Sequence, residues 1–145
     1  MFGKTISQYL RFQKLFLGLA AVVGLARLGL SLAGLPDTTV RWLSMTVVTW
    51  ASVFYYGVKV HTSGFGSYKQ LLPLGFFQIV LVQAIAIFGI LLAIADLPNI
   101  YAAPEFSFQA QSHWRHLLAH LTVCIIVPSL LSWGVGSLVL LITRK

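Results

Sequence analysis

The sequence predicts an all-α integral membrane protein: a four-transmembrane-helix bundle in up-down-up-down order with both termini cytoplasmic. Three observations carry this reading. Four apolar runs, at about residues 15–35, 40–60, 71–95 and 117–142, fill most of the 145-residue chain. Each approaches or exceeds the roughly 20 residues a helix needs to cross about 30 Å of hydrocarbon. The chain is 58% apolar and only 9% charged, whereas soluble domains carry about 25% charge. Finally, the charges sort by loop. Lys4, Arg11, Lys14, Lys59, Lys69, Arg144 and Lys145 fall on one side of the alternating runs. Arg41 and Arg115 fall on the other, with all three acids, Asp37, Asp96 and Glu105. Lys and Arg favour the cytoplasmic side, so the expected location is a bacterial inner membrane with the N- and C-termini inside. The net charge of +7 is accounted for by this sorting, and no nucleic-acid partner is expected.

The elements follow in order. Residues 1–14 read as a cytoplasmic interfacial segment, either a short helix or an extension of the first span. Phe2, Ile6, Tyr9 and Leu10 lie near one face, with Lys4, Arg11 and Lys14 within reach of headgroups. Residues 15–145 form the single membrane domain. The first run is too long for the apolar core of a signal peptide and reads as a span. It stops at Gly34-Leu35-Pro36, and Asp37, Thr38 or Thr39 is expected to cap the next helix. Arg41 and Trp42 fall at the outer headgroup level, and Lys59 and Lys69 at the inner one; with Trp114 they are the interfacial anchors. The second run is rich in Ser, Thr and aromatic residues. The third starts near Pro73, in a position a first helical turn tolerates. The outer loop spans 97–116, with an amphipathic helix expected from about Glu105 whose Phe106, Phe108 and Trp114 dip inward. In the fourth run Pro128 removes a backbone donor and is expected to bend the helix. Small residues pair at four-residue spacing: Ala20/Gly24, Gly29/Ala33, Gly89/Ala93 and Ser132/Gly136. Such pairs permit close helix contact within a bundle or between subunits.

A polar layer is expected at mid-membrane. Arg27 lies about 18 Å into the first span, counting about 1.5 Å per residue. An arginine there costs about 2.5–3.5 kcal/mol on insertion, and such residues usually face protein or water. Matching depth in the other spans gives Thr46 or Thr49, Gln83, and Ser129 or Ser132 as its companions. These groups accept hydrogen bonds but do not neutralise the guanidinium. The bland alternative is a structural arginine that ties helices together.

A second polar feature enters the fourth span. His113, His116 and His120 are spaced i, i+3, i+7, with Cys124 at i+11. At about 100° per residue, they fall within about 80° of one another. Imidazole and thiolate ligate transition metals and haem iron. His113 and Cys124 are about 16 Å apart along a helix, so one ion takes at most two neighbours from this line, completed by groups such as Glu105, Asp96 or a second subunit. A single histidine alternatively ligates haem or a chlorophyll-type pigment, and interfacial histidines without a ligand are the plain reading.

No nucleophile–base pair, HExxH, glycine-rich nucleotide loop or CxxC is present, so an enzyme is not expected. One cysteine makes no intrachain disulfide. Three functional readings stand. The first is a non-enzymatic accessory or structural subunit, self-associating or attached to other membrane subunits. The second is an oligomeric channel or transporter for a small, possibly anionic solute using Arg27. The third is a haem-, pigment- or metal-binding protein using His116 and His120.

Overall fold

A computed structural model describes residues 1–102 and 113–144. Within these the chain is all-helical: α1 (Ile6–Leu32), α2 (Asp37–Val40), α3 (Met45–Thr62), α4 (Tyr68–Ile94), a 3₁₀ turn (Ile100–Ala102), α5 (His113–Leu121) and α6 (Val123–Thr143). Three stretches are long and apolar enough to cross a membrane: Ile6–Leu32, Tyr68–Ile94 and the α5–α6 stretch His113–Thr143. The expected amphipathic segment from Glu105 lies largely outside the described residues.

Capping explains the helix starts. Thr5 and Gln8 form a reciprocal box, with the Gln8 amide donating to Thr5 Oγ1 at 3.3 Å and the Thr5 amide donating to Gln8 Oε1 at 2.8 Å. α1 therefore starts at Ile6, and residues 6–14 are its first turns, with no break before the first span. The start of α3 differs from the sequence reading. Asp37–Val40 forms its own short helix, Arg41 and Trp42 lie in the turn, and Ser44 caps α3 by accepting from Val47 N at 3.3 Å. Asp37, Thr38 and Thr39 thus do not cap the second long helix; the turn after Val40 makes Ser44 the last extended residue before it. α4 begins at Tyr68, where Gln70 Oε1 accepts from Ser67 N at 2.7 Å. Pro73 consequently sits in the second turn of α4, not the first.

α1 and α4 end alike. Leu35 N donates to Leu30 O across Gly34 at φ +83°, and Leu97 N donates to Leu92 O across Asp96 at φ +59°. The left-handed residue turns the chain and satisfies the last carbonyls.

The fourth span is interrupted six residues before the expected bend. The helix breaks at Thr122, with Pro128 well inside α6. A proline ring crowds the carbonyl four residues earlier, here Cys124, so the disturbance is felt on the turn preceding the proline.

Two buried clusters show how the helices lie together. At the upper end, Leu28 of α1, Val40, Met45 of α3, Ile85 and Ala86 of α4, and Ile100 and Tyr101 pack as one. At the lower end, Tyr9 of α1, Tyr56 and Val60 of α3, Leu71 and Leu74 of α4 and Leu140 of α6 form the other. Three of the four small-residue pairs serve contacts inside this bundle. Ala20 and Gly24 are buried, Gly89 receives the ring of Tyr101, and Ser132 and Gly136 are buried against α4 and α3. Gly29 and Ala33 are exposed.

Gly57 sets the α3–α6 distance. A Cβ there would stand 2.7 Å from Val139 Cβ and 2.9 Å from the Gly136 carbonyl, whereas one at Gly29 meets nothing within 4 Å. Gly57→Ala is therefore expected to destabilise the bundle by about 1–3 kcal/mol through overpacking. Gly29→Ala should stabilise it by up to about 1 kcal/mol through helix propensity. Thermal unfolding in lipid nanodiscs measures both signs.

Candidate functional site

Arg27 and three of the four residues of the histidine line, far apart in sequence, meet in one cavity of about 330 Å³ in the upper half of the bundle. α1 supplies Arg27, α3 Met45 and Thr46, α4 Gln83, the 3₁₀ turn Tyr101, α5 His116 and His120, and α6 Cys124.

The histidine wall is built from a single missing donor. Pro128 has no N–H, so the Cys124 carbonyl lacks its helical partner. Gln83 of α4 replaces it, Nε2 donating to Cys124 O at 3.0 Å. That bond orients the amide and turns Gln83 Oε1 toward His120 Nδ1, 2.5 Å away. An amide oxygen only accepts, so Nδ1 carries the proton of His120 and Nε2 is its acceptor. His120 Nε2 lies 3.0 Å from His116 Nε2, which therefore donates. The order is Cys124 carbonyl, Gln83, His120, His116, and each bond assigns the next. The chain ends at His116 Nδ1, which is buried and has no hydrogen-bond partner.

The opposite wall is held by the loop after α4. Asn99 is buried; its Nδ2 donates to Gly89 O at 2.8 Å and Leu97 O at 3.0 Å, and its Oδ1 accepts from Tyr101 N at 3.1 Å. Ile100 N donates to Ser31 Oγ at 2.9 Å. Thus anchored, Tyr101 enters the bundle and donates its hydroxyl to Gly24 O at 3.0 Å. Gly89 admits it, because a Cβ there would collide with the Tyr101 ring. Burial pushes the Tyr101 pKa up to about 12, against the pull of Arg27, so the phenol stays protonated. The Arg27 guanidinium lies 5.4 Å from the centre of the Tyr101 ring, within cation–π range.

The structure brings together part of each expected constellation. Of the polar layer, Arg27, Thr46 and Gln83 line the cavity. Thr49, Ser129 and Ser132 do not. Thr49 Oγ1 donates to Met45 O and Ser129 Oγ to Ile125 O, each within its own helix, and Ser132 packs near Gly75. Of the histidine line, His116, His120 and Cys124 face the cavity, although the break at Thr122 separates Cys124 from the others' helix. His113 instead lines a neighbouring pocket with Asp37, Asn99 and Ser31. Among the described residues no group of three or more His, Cys, Asp and Glu side chains is placed for a metal ion. The anchors Arg41, Trp42, Lys59, Lys69 and Trp114 are all exposed. Asn99 and Tyr101 were not anticipated from the sequence. Their one signal was polar and aromatic character in a short segment between Pro98 and Pro104, which gives no hint that the loop turns inward.

Comparison with protein families, with curated proteins and with solved structures finds no match.

The link from Pro128 to His120 is testable by a double-mutant cycle. Gln83→Leu strips partners from one half-buried carbonyl and one half-buried ring N–H and should cost about 2–6 kcal/mol, at about 1–3 kcal/mol per orphaned group. In a Pro128→Ala background the helix recovers its own donor to Cys124 O, so the cost of Gln83→Leu should fall by about 1 kcal/mol. Equal costs in the two backgrounds, read from unfolding in nanodiscs, would remove the link.

Proposed function

We propose that this chain is a four-span membrane protein that holds a transition-metal ion between His116 and His120, as a non-enzymatic component of a bacterial inner membrane. In this reading α3, the second apolar run, also crosses and brings the number of spans to four. Its 18 residues reach about 27 Å, close to the hydrocarbon thickness. The distribution of Lys and Arg supports up-down-up-down order with both termini cytoplasmic. The cavity then opens toward the outer half of the membrane.

The observation that carries the metal reading is the convergence of the two imidazoles. Their Nε2 atoms are 3.0 Å apart. An ion bonded to both at about 2.0–2.1 Å would be held at an angle of roughly 95°, compatible with a distorted tetrahedral or a square arrangement. His120 already gives its other ring N–H to Gln83, the kind of partner that orients metal-binding histidines. On binding, the His116 proton moves from Nε2 to Nδ1, the nitrogen that otherwise has no partner. Remaining positions fall to Cys124 or to small molecules in the cavity. The same 3.0 Å spacing argues against a haem or pigment between the rings, because a macrocycle does not fit there.

A small anion is the second reading, favoured by Arg27 on the same cavity wall; this would be the solute of a channel or transporter. Attachment to a larger complex or to copies of itself is compatible with either. Its support is narrower than the sequence suggested, since most small-residue pairs are used within the bundle.

The test is metal content after loading purified protein in nanodiscs with Zn²⁺, Co²⁺ or Cu²⁺ and desalting. About one ion per chain is expected for the wild type, with nitrogen hyperfine structure in the Cu²⁺ EPR spectrum, and at least a tenfold loss for His116→Ala/His120→Ala. His61→Ala should keep the ion. Equal metal in wild type and double variant would end the metal reading. Halide or phosphate binding abolished by Arg27→Leu alone would replace it with the anion reading.

A further inference from the structure

A second recess lies between α4 and α6, below the histidine cavity. It measures about 270 Å³ and is lined by Leu72, Pro73 and Phe76 of α4, by Ile126 and Leu130 of α6, and by Met1. Ser129 is the one polar residue on its described walls, and its hydroxyl is committed to Ile125 O at 2.6 Å within α6. The walls therefore offer hydrocarbon contact and no hydrogen bond.

Below these walls the surface becomes basic. Lys69 precedes Leu72, Pro73 and Phe76 by three, four and seven residues, so it shares their face of α4, about 4.5 Å below Leu72 along the axis. Trp133 follows Leu130 by three residues and Ile126 by seven, on the matching face of α6. Its Nε1 donates to Tyr68 O at 2.9 Å, which ties the two helices together at this level. Arg144 reaches the same place from the end of α6, its guanidinium 5.2 Å from the centre of the Tyr68 ring. Lys69, Trp133 and Arg144 are all exposed. The segment before α1 completes the rim, because Phe2 O accepts from Gln70 Nε2 at 2.8 Å and so keeps Met1 beside the recess. The described acids, Asp37 and Asp96, follow the far ends of α1 and α4, so neither neutralises these cations.

We propose that this recess binds an anionic phospholipid, with an acyl chain against the apolar walls and the headgroup phosphate held by Lys69 and Arg144. The chemistry selects this occupant. Walls without a free donor take hydrocarbon, and two cations at one end take an anion; a phospholipid carries the two joined. Lys and Arg at a membrane surface attract anionic lipid. Tryptophan favours the headgroup boundary, which puts Trp133 where the chain meets the head. A second copy of this chain fits poorly, since it would bring another net charge of +7 to a rim that is already basic. The site rests on the membrane-spanning part of the proposed function and not on the metal.

Native mass spectrometry tests it on the full chain, released from nanodiscs of phosphatidylglycerol and phosphatidylcholine in equal amounts. The wild type should keep about one phosphatidylglycerol, preferred over phosphatidylcholine by roughly tenfold, as two cations at a headgroup supply. Lys69→Ala/Arg144→Ala should lose that preference. Lys14→Ala/Lys59→Ala, which removes two exposed cations of the same end from α1 and α3, should keep it. Leu130→Trp should fill the recess and lower retention of both lipids. No preference in the wild type, or its equal loss in the two charge variants, overturns the proposal. Those variants alter exposed side chains, so the comparison decides even where Leu130→Trp does not fold. His116→Ala/His120→Ala should retain the lipid, which separates this site from the metal site. A chain that stays in the aqueous phase and never enters the nanodisc would refute the membrane reading itself, and the site with it.

Discussion

Pro128 removes one backbone donor from a helix packed along one side on α3 and α4, and the polar structure of the upper half depends on how the vacated Cys124 carbonyl is satisfied. Between packed helices there is little solvent to take the missing bond. A side chain from another helix must do it, and Gln83 does. Because an amide has distinct donor and acceptor ends, satisfying the carbonyl leaves an oxygen aimed at His120. The orientation of the amide then determines which nitrogen of each imidazole carries its proton. A defect in α6 is thereby converted into a fixed pair of histidines on α5.

The opposite wall obeys the same rule by other means. The loop after α4 enters the bundle, and a segment that leaves solvent must account for its own backbone. Asn99 takes the Gly89 carbonyl and the Tyr101 amide, and Ser31 takes the Ile100 amide. This frees Tyr101 to reach Gly24 and places an aromatic ring beside Arg27. The cost of placing a guanidinium against the bundle interior is reduced by a ring face. Gly24 and Gly89 are small for the same reason: each leaves the space into which a side chain from elsewhere fits.

The two ends of the bundle contrast. The upper end has a cavity whose polar atoms are largely ordered by one another. The lower end is closed by Tyr9, Phe12, Phe16, Tyr56, Phe65 and Phe77, which pack in stacked, tilted and edge-on pairs. Within that aromatic plug sit the buried Gln13 and Gln78. Aromatic packing covers the region, so the polar atoms it encloses depend on internal partners.

The helical class, three stretches long and apolar enough to cross a membrane, the approximate extents of the long helices, and the residues Arg27, Gln83, His116 and His120 that line the cavity were legible in the sequence. Apolar run length and the placement of charge respond to the bilayer itself, which acts on each segment separately. Helix starts were less legible, because Ser44 rather than Asp37, Thr38 or Thr39 caps α3, and a short intervening turn of helix leaves no hydrophobic trace. The site was only half legible. Depth counting brought Arg27, Thr46 and Gln83 to one level, but it equally admitted Thr49 and Ser129, which bond within their own helices, and Ser132, which packs near Gly75. Spacing put four residues on one line but not the break at Thr122 that divides it, nor the departure of His113 to another pocket. By itself the sequence determined what each segment must do in hydrocarbon. Only the tertiary structure decided which polar atoms meet, because a hydrogen bond between helices depends on rotation, register and a donor missing elsewhere, none of which is a property of one segment.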